Sequence, residues 1–138
     1  MGIALIAAGQ EEQLPAIVGA SLGKVGFAQE MAGAWVCAVR GDVIPEFSPA
    51  AQVSFRDAVY SLWLAEALAR TGDRDRALFY LRNAIARGFV NVTFMEQRSR
   101  WLASLREDPE FKALMVEARV LQVSLLAELQ VATPQSGR

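Results

Sequence analysis

The clearest hydrophobic pattern lies toward the C-terminus, where Phe111, Leu114, Met115, Ala118, Leu121, Leu125 and Leu129 recur three or four residues apart. That spacing is one face of an α-helix, so a long helix is predicted from Asp108 onward. Asp108 offers an N-cap, and Pro109 and Glu110 suit a first turn, where a fixed φ and negative charge are both favoured. Beyond Arg119 the apolar residues divide. Leu121, Leu125 and Leu129 continue the inner face, while Val120, Val123, Ala127 and Val131 form a second stripe. One short domain covers only one stripe, so the second is expected to be a homodimer interface or, in a longer parent protein, a docking face. The competing arrangement folds the N-terminal helices back over it. Residues 133–138 are polar and are expected to be a disordered tail.

Upstream the same period recurs with interruptions. Residues 2 to 8 suit a helix ending at Gly9, and Leu14, Ile17, Val18 and Ser21 suggest a second stripe before Gly19, Gly23 and Gly26 break the pattern. From Phe27 the positions Met31, Ala34 or Trp35, and Ala38 restore the helical period until Arg40-Gly41. Residues 42–47, with Pro45, read as a linker. Ser48-Pro49 then offers an N-cap and a first helical proline, with Ser54 as a rival start, for a helix running through Arg70. That helix is apolar on two sides, with Phe55, Ala58, Val59, Leu62, Ala65 and Ala69 on one and Tyr60, Trp63, Leu64 and Leu68 on the other. Such a helix is sandwiched between neighbours. Gly72 suits a left-handed turn, Asp73 a cap, and Ala77, Leu78, Leu81, Ala84 and Ile85 the core stripe of the next helix. No alternating run of strand type occurs. The predicted class is all-α, with an N-terminal helical segment over 1–41, the linker 42–47, a helical unit over 48–132 and the tail.

Within that unit, Tyr60, Leu64-Ala65, Leu68, Gly72-Asp73, Ala77, Leu81 and Ala84 stand at spacings that resemble a tetratricopeptide repeat (TPR). The departures are Ser61 at the family's usual tryptophan site, with Trp63 two residues on, and Leu68 at its usual tyrosine. The stretch from Arg87-Gly88-Phe89 through Trp101-Leu102 to Asp108-Pro109-Glu110-Phe111 is similar to the segment that closes such arrays in larger bacterial proteins. The resemblance implies antiparallel helix pairs in a right-handed TPR-like array, with residues 1–41 as a degenerate earlier repeat. It also implies a non-catalytic scaffold that binds a partner protein or another part of its parent. Its groove would be lined by the first helix of the repeat, with Arg56, Tyr60 and Trp63 as candidate contacts. A second reading is a regulatory or sensory domain holding a small apolar ligand near Phe27, Met31 and Trp35.

Composition removes alternatives. A chain of 138 residues has the length of one domain, able to bury about two-thirds of its unfolded surface. A formal charge of −1 gives no field to gather nucleic acid or anionic lipid, so neither is an expected partner. With no histidine, the imidazole bases, the Ser-His-Asp and Cys-His arrangements and nearly all zinc sites are excluded within this chain. The single Cys37 closes no intramolecular disulfide and sits in an apolar helical stretch, as an inert thiol would. The apolar start at Met1 lacks a basic leader and runs into Glu11-Glu12. A cytoplasmic protein without a cofactor is therefore expected.

Three patterns imitate functional motifs. Leu14 to Val18 followed by Gly19-Ala20-Ser21-Leu22-Gly23-Lys24-Val25 looks like a strand leading into a phosphate-binding loop. That loop needs four residues between its glycines and a hydroxyl after the lysine, whereas this chain has three and Val25. Glu11-Glu12, Asp73/Asp75 and Glu107-Asp108-Glu110 all fall at predicted helix starts, so capping explains them better than acid–base chemistry. Arg70, Arg74, Arg76, Arg82 and Arg87 could form a basic strip, but Asp73 and Asp75 interrupt it and no aromatic ladder accompanies it.

Overall fold

The computed structural model describes residues 9–13, 16 and 26–132. Among these the protein is helical and has no strand. The longer elements are α1 (Gly26–Arg40), α2 (Pro49–Ser54), α3 (Ala58–Arg70), α4 (Arg74–Ala86) and α5 (Pro109–Ala132), with single turns at Glu11–Gln13, Phe94–Arg98 and Ala103–Leu105. The expected helix over residues 2 to 8, the whole second N-terminal stripe of Leu14, Ile17, Val18 and Ser21, the glycine-lysine loop and the polar tail lie outside the described residues.

α3 and α4 form the centre of the core. The chain turns between them through Thr71-Gly72-Asp73, and Gly72 has a φ of +81°, a conformation that costs any residue with a Cβ. There Asp73 N–H donates to Leu68 C=O at 2.9 Å and Gly72 N–H to Ala69 C=O at 3.1 Å, satisfying carbonyls that the helix end leaves open. The Asp73 carboxylate then accepts from Arg76 N–H at 3.3 Å and starts α4. The far end of α4 lies beside the start of α3. Asn83 Nδ2 donates to Ser61 Oγ at 2.6 Å and to Arg56 C=O at 3.1 Å. Between these ends Leu64, Ala65, Ala67, Leu68, Ala77, Leu81 and Ala84 have no exposed surface. Alanines at these positions let two backbones approach closely while leucines fill the space beside them.

The expected single helix from Ser48 to Arg70 is two helices. Ser48 does cap the first, accepting from Ala51 N–H at 3.2 Å, but α2 stops at Ser54. Asp57, and not Ser54, caps α3, its carboxylate accepting from Val59 N–H at 2.9 Å and Tyr60 N–H at 3.3 Å. The break drives Phe55 into the core, where it is fully buried, and its C=O accepts from the Ser61 hydroxyl. A continuous helix would carry Phe55 along one face. The bend turns it inward.

α1 packs against α3 and α2, burying Met31, Ala32, Ala34 and Ala38. Glu30 ties it to the start of α2, its Oε2 accepting from Ser48 N–H at 2.8 Å. Residues 42–48 form no helix, yet Ile44 and Phe47 are buried, and Arg76 reaches across to donate to Ile44 C=O at 3.0 Å with its guanidinium 5.4 Å from the Phe47 ring.

α5 begins as the sequence predicts. Asp108 caps it, accepting from Glu110 N–H at 2.8 Å, and Phe111, Leu114, Met115 and Ala118 are buried. Arg74 at the start of α4 grips the same carboxylate with Nε at 2.5 Å and Nη2 at 3.0 Å, which joins the two helix starts and holds the Asp108 carboxyl below its usual range. The inner face does not continue as expected. Leu121, Leu125 and Leu129 are 40%, 41% and 64% exposed, because the core ends at Ala118.

Candidate interaction groove

Two sets of residues singled out separately in the sequence come together on the surface. Phe27, Met31 and Trp35 recur at helical spacing on α1, and Tyr60 and Trp63 lie within the first turns of α3. The packing of α1 on α3 sets them around one groove of about 230 Å³, floored by Ala28 and Ala32. No charged side chain lines it. Met31 and Ala32 are buried, while Phe27, Trp35, Tyr60 and Trp63 are half-buried and offer ring surface to an occupant.

The rings are in mutual contact. Trp35 and Trp63 have centroids 5.5 Å apart, Trp63 and Tyr60 5.6 Å, and Tyr60 and Phe27 5.6 Å. From Phe27 the row passes inward to Phe55 at 6.5 Å, to Phe47 at 5.0 Å from Phe55, and to Tyr80 at 6.0 Å from Phe47. Tilted and edge-on aromatic contacts at these separations are favourable beyond the area they bury. The groove wall is thus continuous with buried rings of the core. Its inner continuation through Phe55, Phe47 and Tyr80 was missed in the sequence, because it depends on the break between α2 and α3. Burial raises the Tyr80 phenol above its usual pKa.

Arg56, the third candidate contact, is exposed in the break before α3, four residues ahead of Tyr60, and does not line the groove. Val120, Val123, Ala127 and Val131 are all exposed on α5. The arginine strip is largely ion-paired. Arg74 meets Asp75, Asp108 and Glu110, Arg76 meets Asp73 and Glu46, and Arg82 meets Glu110. Asp73 and Asp108 are caps.

A second polar site escaped the sequence reading. Glu66, midway along α3, is 6% exposed, and its Oε1 accepts from the buried Ser99 hydroxyl at 2.6 Å. Ser99 Oγ also accepts from Leu102 N–H at 3.3 Å, and Ser99 C=O accepts from Arg106 Nη2 at 2.7 Å. Burial pushes the Glu66 carboxyl up to about 7, outweighing the Ser99 hydrogen bond, which lowers it. The available signal was an acid between Ala65 and Ala67 in a helix apolar on two sides. Cys37 is half-buried, and among the described residues no three His, Cys, Asp or Glu side chains gather as a metal site requires. No described helix is long and apolar enough to cross a membrane.

The groove therefore offers apolar and aromatic surface backed by buried core rings, suited to binding an apolar group. Compared with protein-family models, with curated proteins and with solved structures, the chain matches none.

Proposed function

We propose that this protein is a non-catalytic interaction module whose α1–α3 groove receives an apolar segment of a partner protein or of another part of a larger parent. The observation that carries this reading is the cluster of four half-buried rings, Phe27, Trp35, Tyr60 and Trp63, around one uncharged groove. Tryptophan and tyrosine dominate the energetics of protein interfaces because they bury much area at small entropic cost. Arg56, exposed four residues before Tyr60, stands outside that lining and is left out of this reading. The competing reading, a small apolar ligand among Phe27, Met31 and Trp35, is favoured by the same lining. Size weighs against it: about 230 Å³ falls below the ~300–1,000 Å³ of typical small-molecule sites and suits one or two side chains.

Selection of helical peptides from a displayed library against the intact chain tests this. Binders should share two apolar anchors one turn apart, and Trp63→Ala should weaken them by about 30-fold, the loss typical of an interface hot spot. Binders indifferent to Trp63 would sink the proposal. An apolar compound retained in native mass spectrometry would move the groove to the ligand reading.

We read α3 and α4 as one antiparallel pair of the tetratricopeptide kind within a right-handed array. Supporting it are Gly72 at φ +81° between the helices and the complete burial of Ala65, Ala77 and Ala84. Ala84→Leu should overpack the crossing and cost about 1–3 kcal/mol, whereas Ala86→Leu, on the exposed face, should leave the melting temperature nearly unchanged. Equal melting temperatures would refute this register.

A further inference from the structure

The far face of α5 carries an inference independent of the groove. Its buried positions, Phe111, Leu114, Met115 and Ala118, all lie in the first half of a helix of 24 residues. Opposite them run Ala113, Val116, Val120, Val123 and Ala127, alternately three and four residues apart and all exposed. Val116, Val120 and Val123 are 58%, 63% and 68% exposed, and Val131 extends the apolar surface at 87%. A 3–4 alternation of apolar residues is the seam of a two-stranded coiled coil.

The charges beside the seam say what covers it. With Ala113, Val120 and Ala127 as a positions and Val116 and Val123 as d positions, Lys112 and Arg119 take g positions and Glu117 an e position. In two parallel helices each g residue faces the e residue five positions later on the other helix. Lys112 of one copy, whose Nζ lies 2.7 Å from the exposed Glu107 of its own chain, then exchanges that partner for Glu117 of the second copy, twice by symmetry. In an antiparallel pair g faces g and e faces e, which sets basic against basic and acid against acid. Among the described residues the body of the protein packs on the opposite face of α5, and the seam positions are exposed. We propose that the protein forms a parallel homodimer in which α5 of two copies pair from Ala113 to Ala127, flanked by Lys112–Glu117 contacts.

Sedimentation velocity on the intact chain across a concentration series should show a dimer. Val120→Glu/Val123→Glu should yield a monomer with unchanged helical circular dichroism. In a Cys37→Ala background, Ala113→Cys and Ala127→Cys should each form a disulfide with their own counterpart on oxidation. The two positions are ~21 Å apart along the helix, so an antiparallel pair brings at most one of them to its own copy. Lys112→Glu should weaken the dimer about tenfold, and Lys112→Glu/Glu117→Lys should restore it. A dimer that survives the double glutamate variant, or that cross-links at only one cysteine or neither, overturns the proposal. A chain monomeric at every concentration also overturns it. Were the glutamate variant then to unfold, the chain's own N-terminal residues would cover the seam; were it to stay folded, a different partner or none would.

Discussion

Phe55→Ala is expected to destabilise the protein by about 3–5 kcal/mol, the largest loss predicted for any single side chain here. Phe55 is fully buried at the break between α2 and α3, with the Phe47 ring 5.0 Å away and the Phe27 ring 6.5 Å away. Truncation removes the transfer free energy of the ring and leaves a cavity at the point where α1, α2 and α3 meet. Relaxation around it is hindered, because the residue's own N–H donates to Ala51 C=O at 2.9 Å and its C=O accepts from Ser61. Phe79→Ala supplies the contrast, since Phe79 is 61% exposed and its loss should stay within about 0.5 kcal/mol. Urea denaturation of both variants is the measurement. Similar losses would mean that Phe55 is not the keystone of the aromatic row.

The second large effect is expected from Glu66→Gln, and it depends on pH. The Glu66 carboxyl is raised from 4.5 to about 7 by burial, so the folded protein holds a proton that the unfolded chain has released between those values. An acid whose folded pKa is raised makes folding less favourable as pH rises. The loss begins near pH 4.5 and is complete above about pH 7, amounting to about 3 kcal/mol. Glutamine occupies the same space and can still accept from Ser99 without being ionised. The variant should therefore match the wild type near pH 4.5 and exceed its stability by about 3 kcal/mol at pH 8. Asp108 works in the opposite sense. Its carboxyl is held below 3.8 mainly by Arg74, so its contribution is lost only as pH falls further, outside the Glu66 window. A wild type equally stable at pH 5 and pH 8 would show that its burial does not penalise the Glu66 charge.

Several local features were legible because their causes lie within a few residues. Asp108 and Asp73 are caps because each carboxylate reaches amides two or three positions ahead. Gly72 turns the chain because it alone lacks the Cβ that φ +81° disfavours. The core stripe Ala77, Leu78, Leu81, Ala84 and Ile85 is entirely buried, and α1 ends at Arg40 before Gly41, both as the helical period predicts. Where the expectation failed, a more distant partner decided the outcome. The Ser48–Arg70 helix breaks because Asp57 is a competent cap and Phe55 gains a buried aromatic site that includes Phe27 and Phe47. The inner face of α5 ends at Ala118 because the core beside it ends there, although the sequence repeats its leucines to Leu129.

The candidate site divides in the same way. Trp35 and Trp63 each read as half of an apolar helix face, and nothing within either stretch says that they lie 5.5 Å apart. Their meeting depends on how α1 crosses α3. Glu66 loses its water to a segment carrying Ser99, 33 residues further along the chain, and nothing in its own stretch names that partner. By itself the sequence determined the helical class, most helix ends and the positions able to face a core, because backbone hydrogen bonds, caps and the 3.6-residue period act over three or four residues. Only the tertiary structure decided which apolar faces are covered, which rings surround the groove and which carboxyl loses its water, because burial depends on elements brought together from distant parts of the chain.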